Sequence, residues 1–218
     1  MGETKNILTI DFDYIMWPCI KLYNDLCGGD QNPGESWERI EFERKINNHI
    51  SYDAKTLKMI ALIIKNAMKN ENCTFYSIEE HQNLVKILNI EDSENDYNVV
   101  NVDFHHDIYY HDEDVARMSY FEDCNCANWL GYIHYIDKLK SYTWIEAPNS
   151  DPIPRDLDDE LAEKISVKDS SALNDLKMKL NTGEISFDYV VFCLSPQWVP
   201  YRYYHLFEII CDFVNKEG

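Results

Sequence analysis

The sequence predicts an α/β fold: a mostly parallel central sheet covered by helices on both faces, in one domain spanning residues 1–218. Three observations carry this. Short apolar runs recur along the chain, several with no polar face, as strands buried on both sides require. Segments with apolar residues at helical spacing separate those runs. Apolar residues make up 45% of 218 positions, enough for a sizeable core, and no internal repeat or low-complexity tract divides the chain.

The elements follow in order. A first strand is read over Lys5 to Ile15, through Thr9-Ile10-Asp11-Phe12-Asp13. Gly28-Gly29-Asp30 and Asn32-Pro33-Gly34 mark a loop. One helix is predicted over Ser36 to about Asn47 and another from Asp53 to about Asn70, where Leu57, Ile60, Ala61, Ile64 and Met68 line one face. Cys73 to Ser77 reads as a short strand, followed by Glu79-Glu80-His81 and a helix over Asn83 to Leu88. A strand at Tyr97 to Val102 leads into a polar, aromatic loop from Ile108 to Cys126. Trp129 to Leu139 reads as helix, Ser141 to Glu146 as strand, and Asn149 to Pro154 as a break. Residues 155–183 are charged and weakly helical in pattern, which predicts a helical excursion. Asp188 to Leu194 is a near-continuous apolar strand, and Tyr203 to Val214 a final amphipathic helix.

Acidic residues outnumber basic ones 39 to 20, a formal net charge of −19. Such a surface repels phosphate and anionic lipid, so neither nucleic acid nor membrane is an expected partner. It attracts divalent metals, basic peptides and guanidinium groups. Self-association is compatible with this composition. The seven cysteines (Cys19, Cys27, Cys73, Cys124, Cys126, Cys193, Cys211) are odd in number and form no Cys-x-x-Cys pair. The apolar run Ile7 to Ile10 is too short for a secretory leader, and none approaches the roughly 18 residues that span a bilayer. A reduced, cytoplasmic protein is expected.

The residues that carry chemistry sit at predicted strand ends, where open α/β sheets bind ligands. In Asn101-Val-Asp103-Phe-His105-His106-Asp107, the residues Asp103, His105 and Asp107 follow a buried strand at a spacing of two. An extended backbone would point all three side chains one way. The first strand ends in Asp11 and Asp13 at the same spacing, and the second is followed by Glu79, Glu80 and His81. The four Asp and two His of Asp11, Asp13, His81, Asp103, His105 and Asp107 form an oxygen-rich, thiolate-free set that suits Mn²⁺ better than structural zinc. Four carboxylates balance two divalent ions, so the expected cofactor is a pair of Mn²⁺ ions, or other divalent metals in their place. Metals paired about 3.5–4 Å apart generate a hydroxide nucleophile near neutral pH and polarise the group it attacks.

These residues resemble a known family. Asp103-Phe-His105-His106-Asp107 looks like the Asp-x-His-x-Asp motif of the ureohydrolases (arginase, agmatinase), Asp11-Phe-Asp13 like their Asp-x-Asp motif, and His81 like their isolated upstream histidine. The wording Glu80-His81-Gln82-Asn83, Asn128-Trp129 and Leu194-Ser195-Pro196 is closer to a divergent branch that includes the peptide arginases, which convert peptide arginine to ornithine. The resemblance implies a three-layer α/β/α fold, six metal ligands around a binuclear manganese centre, and hydrolysis of a guanidinium C–N bond to amine plus urea. A cationic or arginine-containing peptide is the implied substrate. One departure stands out: arginase carries its Asp-x-Asp motif after the Asp-x-His-x-Asp motif, whereas here that strand is displaced to the N-terminus. Arginase's substrate-binding Ser/Asn loop and guanidinium-binding Glu have no counterpart by motif, so free arginine is not implied.

Other residues are weaker candidates. His106 should point away from the ligands by alternation and pack instead. His106, His111 and His134 are the histidines that could transfer protons, and no other catalytic side chain is assigned. Cys124-Asn125-Cys126 lacks a second pair at zinc spacing. With Asn128 and Trp129 it reads as a pocket-lining loop, which makes Asn125 and Asn128 substrate-binding candidates. Ser195, in Ser195-Pro196-Gln197-Trp198, either shapes a substrate entrance or makes an ordinary turn. Asp156 to Glu160 reads as a solvated helix start. Two further functions are consistent with parts of the pattern. Ile7-Leu-Thr-Ile-Asp11-Phe-Asp13 also looks like the opening motif of haloacid-dehalogenase-type phosphatases, which leaves the Asp103/His105/Asp107 set unexplained. A non-catalytic, metal-stabilised protein could bind a basic partner through its acidic face.

Overall fold

The computed structural model describes residues 2–17, 37, 51–109, 124–148, 150–155 and 157–215. Strand β1 (Thr4–Asp11) passes through a 3₁₀ turn (Phe12–Ile15) into β2 (Met16–Trp17), which pairs antiparallel with β3 (Ser51–Tyr52). The chain continues as α1 (Ala54–Ala67), β4 (Thr74–Ile78), α2 (Asn83–Ile87) and β5 (Asp96–Asp103). After α3 (Trp129–Tyr135) and β6 (Leu139–Glu146) come α4 (Asp159–Lys164), β7 (Ile165–Lys168) and α5 (Ala172–Thr182). Strand β8 (Tyr189–Cys193) and, beyond a 3₁₀ turn (Tyr201–Tyr203), α6 (Tyr204–Asn215) complete it.

Six strands form one parallel sheet in the order β4-β8-β1-β5-β6-β7. On one face, Ile60, Ile63 and Ile64 of α1, Leu173, Leu176 and Leu180 of α5, and Ile210 and Val214 of α6 bury Leu8, Ile10, Val102, Val190 and Phe192. On the other, Leu84 and Val85 of α2, Trp129, Leu130 and Ile133 of α3, and Leu161 of α4 bury Ile7, Val99, Tyr142, Trp144 and Val191. Crossovers toward β7 thus place helices on one face and those running back toward β4 place them on the other, as right-handed connections require. The result is three α/β/α layers.

Local chemistry explains the element ends. Asp53 caps α1, its carboxylate accepting from the Lys55 and Thr56 amides at 2.8 and 3.3 Å, a contribution of about 1 kcal/mol. Gly183 ends α5 in the left-handed region at φ 71°, where a Cβ would be strained.

Three expectations change. The first strand stops at Asp11 and does not run to Ile15, because the Asp11 carboxylate accepts the Asp13 amide and turns the chain. The helix predicted to Leu139 ends at Tyr135, since Leu139 already belongs to β6. Residues 155–183 are no helical excursion: α4, β7 and α5 belong to the layers, with β7 as the edge strand on β6. An edge strand has a single neighbour, and Val167 stays exposed, so the apolar signal of β7 is faint. The helix read over Ser36 to about Asn47 lies outside the described residues except for Trp37, which is helical and buried. His111, Asp156, Asn149 and most of the Ile108 to Cys126 loop also lie outside them. Among the described residues, no helix is long and apolar enough to cross a membrane.

Leu8 is fully buried at the centre of the sheet, whereas Met178 on α5 is exposed. Leu8→Ala is expected to lower unfolding free energy by about 2–5 kcal/mol, and Met178→Ala by no more than about 0.5, as read by urea titration.

Candidate metal centre

The register of the central strands builds the site. Asp11 stands opposite Cys193 on β8, and Ile10 opposite Val102 on β5, so β1, β5 and β8 end flush at one edge of the sheet. Thr9 and Asp11 on β1, and Asn101 and Asp103 on β5, are buried polar residues on the same face. Beyond β4, the turn before α2 delivers His81 to the same edge.

Convergence at the strand ends does not come from extended alternation. The Asp103 carboxylate accepts the His105 amide at 2.8 Å, and that of Asp11 accepts the Asp13 amide at 2.9 Å. Each motif therefore closes an Asx turn, in which an aspartate bonds the backbone two residues on. The chain then folds back so that Asp107, at φ 53°, returns its carboxylate to the cluster. A non-glycine residue in this left-handed region is strained, and such strain concentrates at functional sites.

All six expected ligands meet. His81 Nδ1 lies 3.3 Å from Asp11 Oδ2, 3.2 Å from Asp103 Oδ2 and 3.0 Å from Asp107 Oδ2. His105 Nδ1 lies 3.0 Å from Asp13 Oδ2 and 3.9 Å from Asp103 Oδ1. Three overlapping groups of donor atoms lie within 4.8 Å of one another: Asp13, Asp103 and His105; His81, Asp103 and Asp107; and Asp11, His81 and Cys193. The displaced Asp-x-Asp pair thus shares one site with the Asp-x-His-x-Asp residues.

A ring of supporting side chains sets the orientations. Thr9 Oγ1 bonds His81 Nε2 at 2.8 Å, which turns Nδ1 toward the carboxylates. The Trp129 indole donates to Asp107 Oδ2 at 2.6 Å. The Asn101 amide donates to Asp103 Oδ2 and to the Tyr142 hydroxyl, both at 3.2 Å, and that hydroxyl donates to the His106 carbonyl at 2.9 Å. Ser195, at φ 49°, directs its hydroxyl to Asp11 Oδ2. Trp198 lies across the His105 ring, with centroids 4.7 Å apart.

The electrostatics are those of too many carboxylates in too little water. Burial, then the charges of Asp13 and Asp103, push Asp11 well above the usual carboxylate range. Burial and the Asp103 and Asp107 charges do the same to Asp13. Asp107 is raised to about 8 by burial and by Asp103. Burial would raise Asp103 too, but the His81 hydrogen bond and the His81 and His105 charges hold it at about 2. Burial disfavours protonated His81, yet its bonds to Asp103 and Asp107 outweigh that and raise it well above its ordinary value. Without cations, protons must neutralise the site.

A divalent ion fits this donor set. Both Asp13 oxygens are shut off from solvent, and among the described residues neither has a full hydrogen bond; Oδ2 faces His105 Nδ1 at 3.0 Å, and the Phe104 backbone gives the carboxylate some relief. A buried carboxylate in that state calls for a cation. Hence the buried Asp/His groups can hold metal.

The weaker candidates fall elsewhere. Ser195 is buried, with its hydroxyl directed to Asp11. Asn128 is fully buried, its side-chain carbonyl accepting the Asn125 amide at 2.8 Å, while Asn125 is exposed and its side chain accepts from Ala127 at 2.8 Å. Both secure the turn that starts α3. His106 packs edge-on to Trp144 at 5.8 Å, and burial, then the His105 charge, lowers it to about 4. His134 lies apart in a cavity of about 400 Å³ with Tyr109 and Leu161, its Nδ1 3.2 Å from Lys164 Nζ and its Nε2 3.6 Å from Asp158. Sequence reasoning missed that the Cys193 thiol stands beside Asp11 and His81, and the supporting roles of Thr9 and Asn101. The last two were detectable as polar residues two positions before Asp11 and Asp103 in otherwise apolar strands.

Protein-family models, curated proteins and solved structures were all searched, and none matches this chain.

Two predictions follow from the charge balance. Asp107 keeps its proton to about pH 8 in the folded chain but only to about 3.8 when unfolded. The folded state binds more protons between those values, so metal-free stability falls as pH rises through the window. Divalent metal displaces those protons, so its affinity rises over the same window. Calorimetry should show the metal-free melting temperature dropping and the metal-induced increment growing with pH, both less steeply in Asp107→Asn. Separately, Asp13→Asn should raise metal-free stability by about 1 kcal/mol or more. It should also lose most of the about 2.7 kcal/mol that metal at 100 times its dissociation constant gives the unsubstituted chain, measured by urea titration with and without Mn²⁺.

Proposed function

We propose that this chain is a binuclear metal-dependent hydrolase of C–N bonds, acting on the guanidinium of a peptide arginine to give ornithine and urea. One observation carries the reading. Asp11 and Asp13, from the start of the chain, share a buried site with His81, Asp103, His105 and Asp107, and both Asp13 oxygens are shut off from solvent. This supports the likeness to the ureohydrolases, because the motif displaced in sequence is adjacent in space. The phosphatase alternative accounts for Asp11 and Asp13 alone, whereas their ion-pair partners are His81 and His105 of the larger set.

Asp13, Asp103 and His105 would hold one ion, and His81, Asp103 and Asp107, with Asp11, the other; Mn²⁺ suits the oxygen-rich donors of both. When bound, two divalent ions would supply an activated water and polarise the group under attack. The overall change is addition of water at the guanidinium carbon and cleavage of its bond to Nε, with the proton going to the departing amine. The chain's own residues orient and exclude. Thr9 holds His81, Trp129 holds Asp107, Ser195 holds Asp11, and burial keeps bulk water from the carboxylates. The net charge of −19 draws a cationic peptide toward the site.

The test is incubation of the Mn²⁺-loaded protein with arginine-containing peptides, reading urea colorimetrically and the loss of CH₂N₂ by mass spectrometry. Urea release is expected, falling about a hundredfold or more in Asp103→Ala. Phosphate release from an aryl phosphate with Mg²⁺, and no urea, would favour the phosphatase instead.

A further inference from the structure

Beside Asp11 and His81 lies a third donor that the carboxylate pattern does not contain. Strand β8 runs between β4 and β1, and its last residue, Cys193, is in register with Ile78 on one side and Asp11 on the other. Its side chain points to the face that carries Asp11, and it is fully buried. Its sulfur lies within 4.8 Å of donor atoms of both Asp11 and His81. Thr9 occupies His81 Nε2, so the nitrogen facing this group is Nδ1, 3.3 Å from Asp11 Oδ2.

A buried cysteine usually serves as a small apolar side chain. Here the surroundings argue otherwise. Its thiol makes polar contacts of ordinary length for sulfur, 3.4 Å to the Ser195 hydroxyl and 3.5 Å to the Glu79 carbonyl, so it is not packed as an apolar group. The adjoining group contains Asp13, whose buried carboxylate faces His105 and the charges of Asp103 and Asp107, so the cluster as a whole suits cations.

We infer that Cys193 is a ligand to one of the two ions, making the Asp11/His81/Cys193 half of the centre selective for a thiophilic divalent cation such as Zn²⁺, Co²⁺ or Fe²⁺, while the Asp13/Asp103/His105 half takes a harder one such as Mn²⁺. This rests on the two-metal reading above but not on the substrate. Thiolate softens one site and carboxylates keep the other hard, so the two halves differ in preference. On binding, the Cys193 S–H bond breaks, the sulfur lone pair is donated to the metal, and the proton leaves to solvent. No electrons are exchanged.

The test uses the full chain loaded with Co²⁺, measuring bound metal and the near-ultraviolet thiolate-to-cobalt charge-transfer band. The inference expects that band in the unsubstituted protein and in Cys126→Ser, and its loss in Cys193→Ser with metal still bound. Cobalt bound without the band in the unsubstituted protein overturns the role of Cys193, leaves the metal centre standing, and does not depend on how any variant folds. Persistence of the band in Cys193→Ser or Cys193→Ala also overturns it. Failure to bind cobalt, manganese or zinc at all overturns the two-metal reading together with the inference.

Discussion

The insertion of β1 between β8 and β5 is the constraint on which the rest of the molecule depends. Parallel pairing with both neighbours brings Asp11, Cys193 and Asp103 to one edge of the sheet. A slip of one residue in β1 would turn Thr9 and Asp11 into the opposite core and Leu8 and Ile10 toward the polar site. The apolar faces packed by α1, α5 and α6 on one side and α2, α3 and α4 on the other oppose such a slip. Core packing thus holds the register, and the register holds the site.

The site works against the stability of the fold that carries it. Four aspartates meet with little water, and burial raises three of them above their ordinary range. Asp107 and Ser195 add left-handed backbone at the same edge. Each such cost is of order 1–3 kcal/mol and persists only where the surroundings over-determine it. The surroundings here are specific: indole, hydroxyl and amide donors aim at Asp107, Asp11 and Asp103. A bound cation would turn the repulsion into attraction, which ties the strain to function.

The same edge separates two kinds of chemistry. Toward β5 the donors are carboxylate and imidazole, while toward β4 a thiol joins them across β8. The sheet order decides this, because a residue at the end of β8 necessarily lies between those of β1 and β4. The histidines without a place in the cluster divide similarly. His106 is packed on Trp144 and His134 is engaged by Lys164 and Asp158, so neither stands among the converging donors.

By itself, the sequence determined the layer architecture and the six Asp and His side chains that converge. Apolar strands such as Val99 to Val102 and Tyr189 to Cys193 have only one environment that suits them, and polar residues at their ends have only one edge on which to gather. The alternation argument for Asp103, His105 and Asp107 reached residues that do converge, but by the wrong geometry, because Asx turns and a left-handed Asp107 bring them together. Those turns depend on hydrogen bonds that a period-two pattern does not encode. Edge strand β7 escaped notice because a strand with one neighbour need not be apolar. Only the tertiary structure decided that the Asp11–Asp13 pair at the start of the chain is neighbour to Asp103 and His105, and that Cys193 stands beside Asp11. Strand order is set by packing among distant segments, and no local pattern records which strand lies next to which.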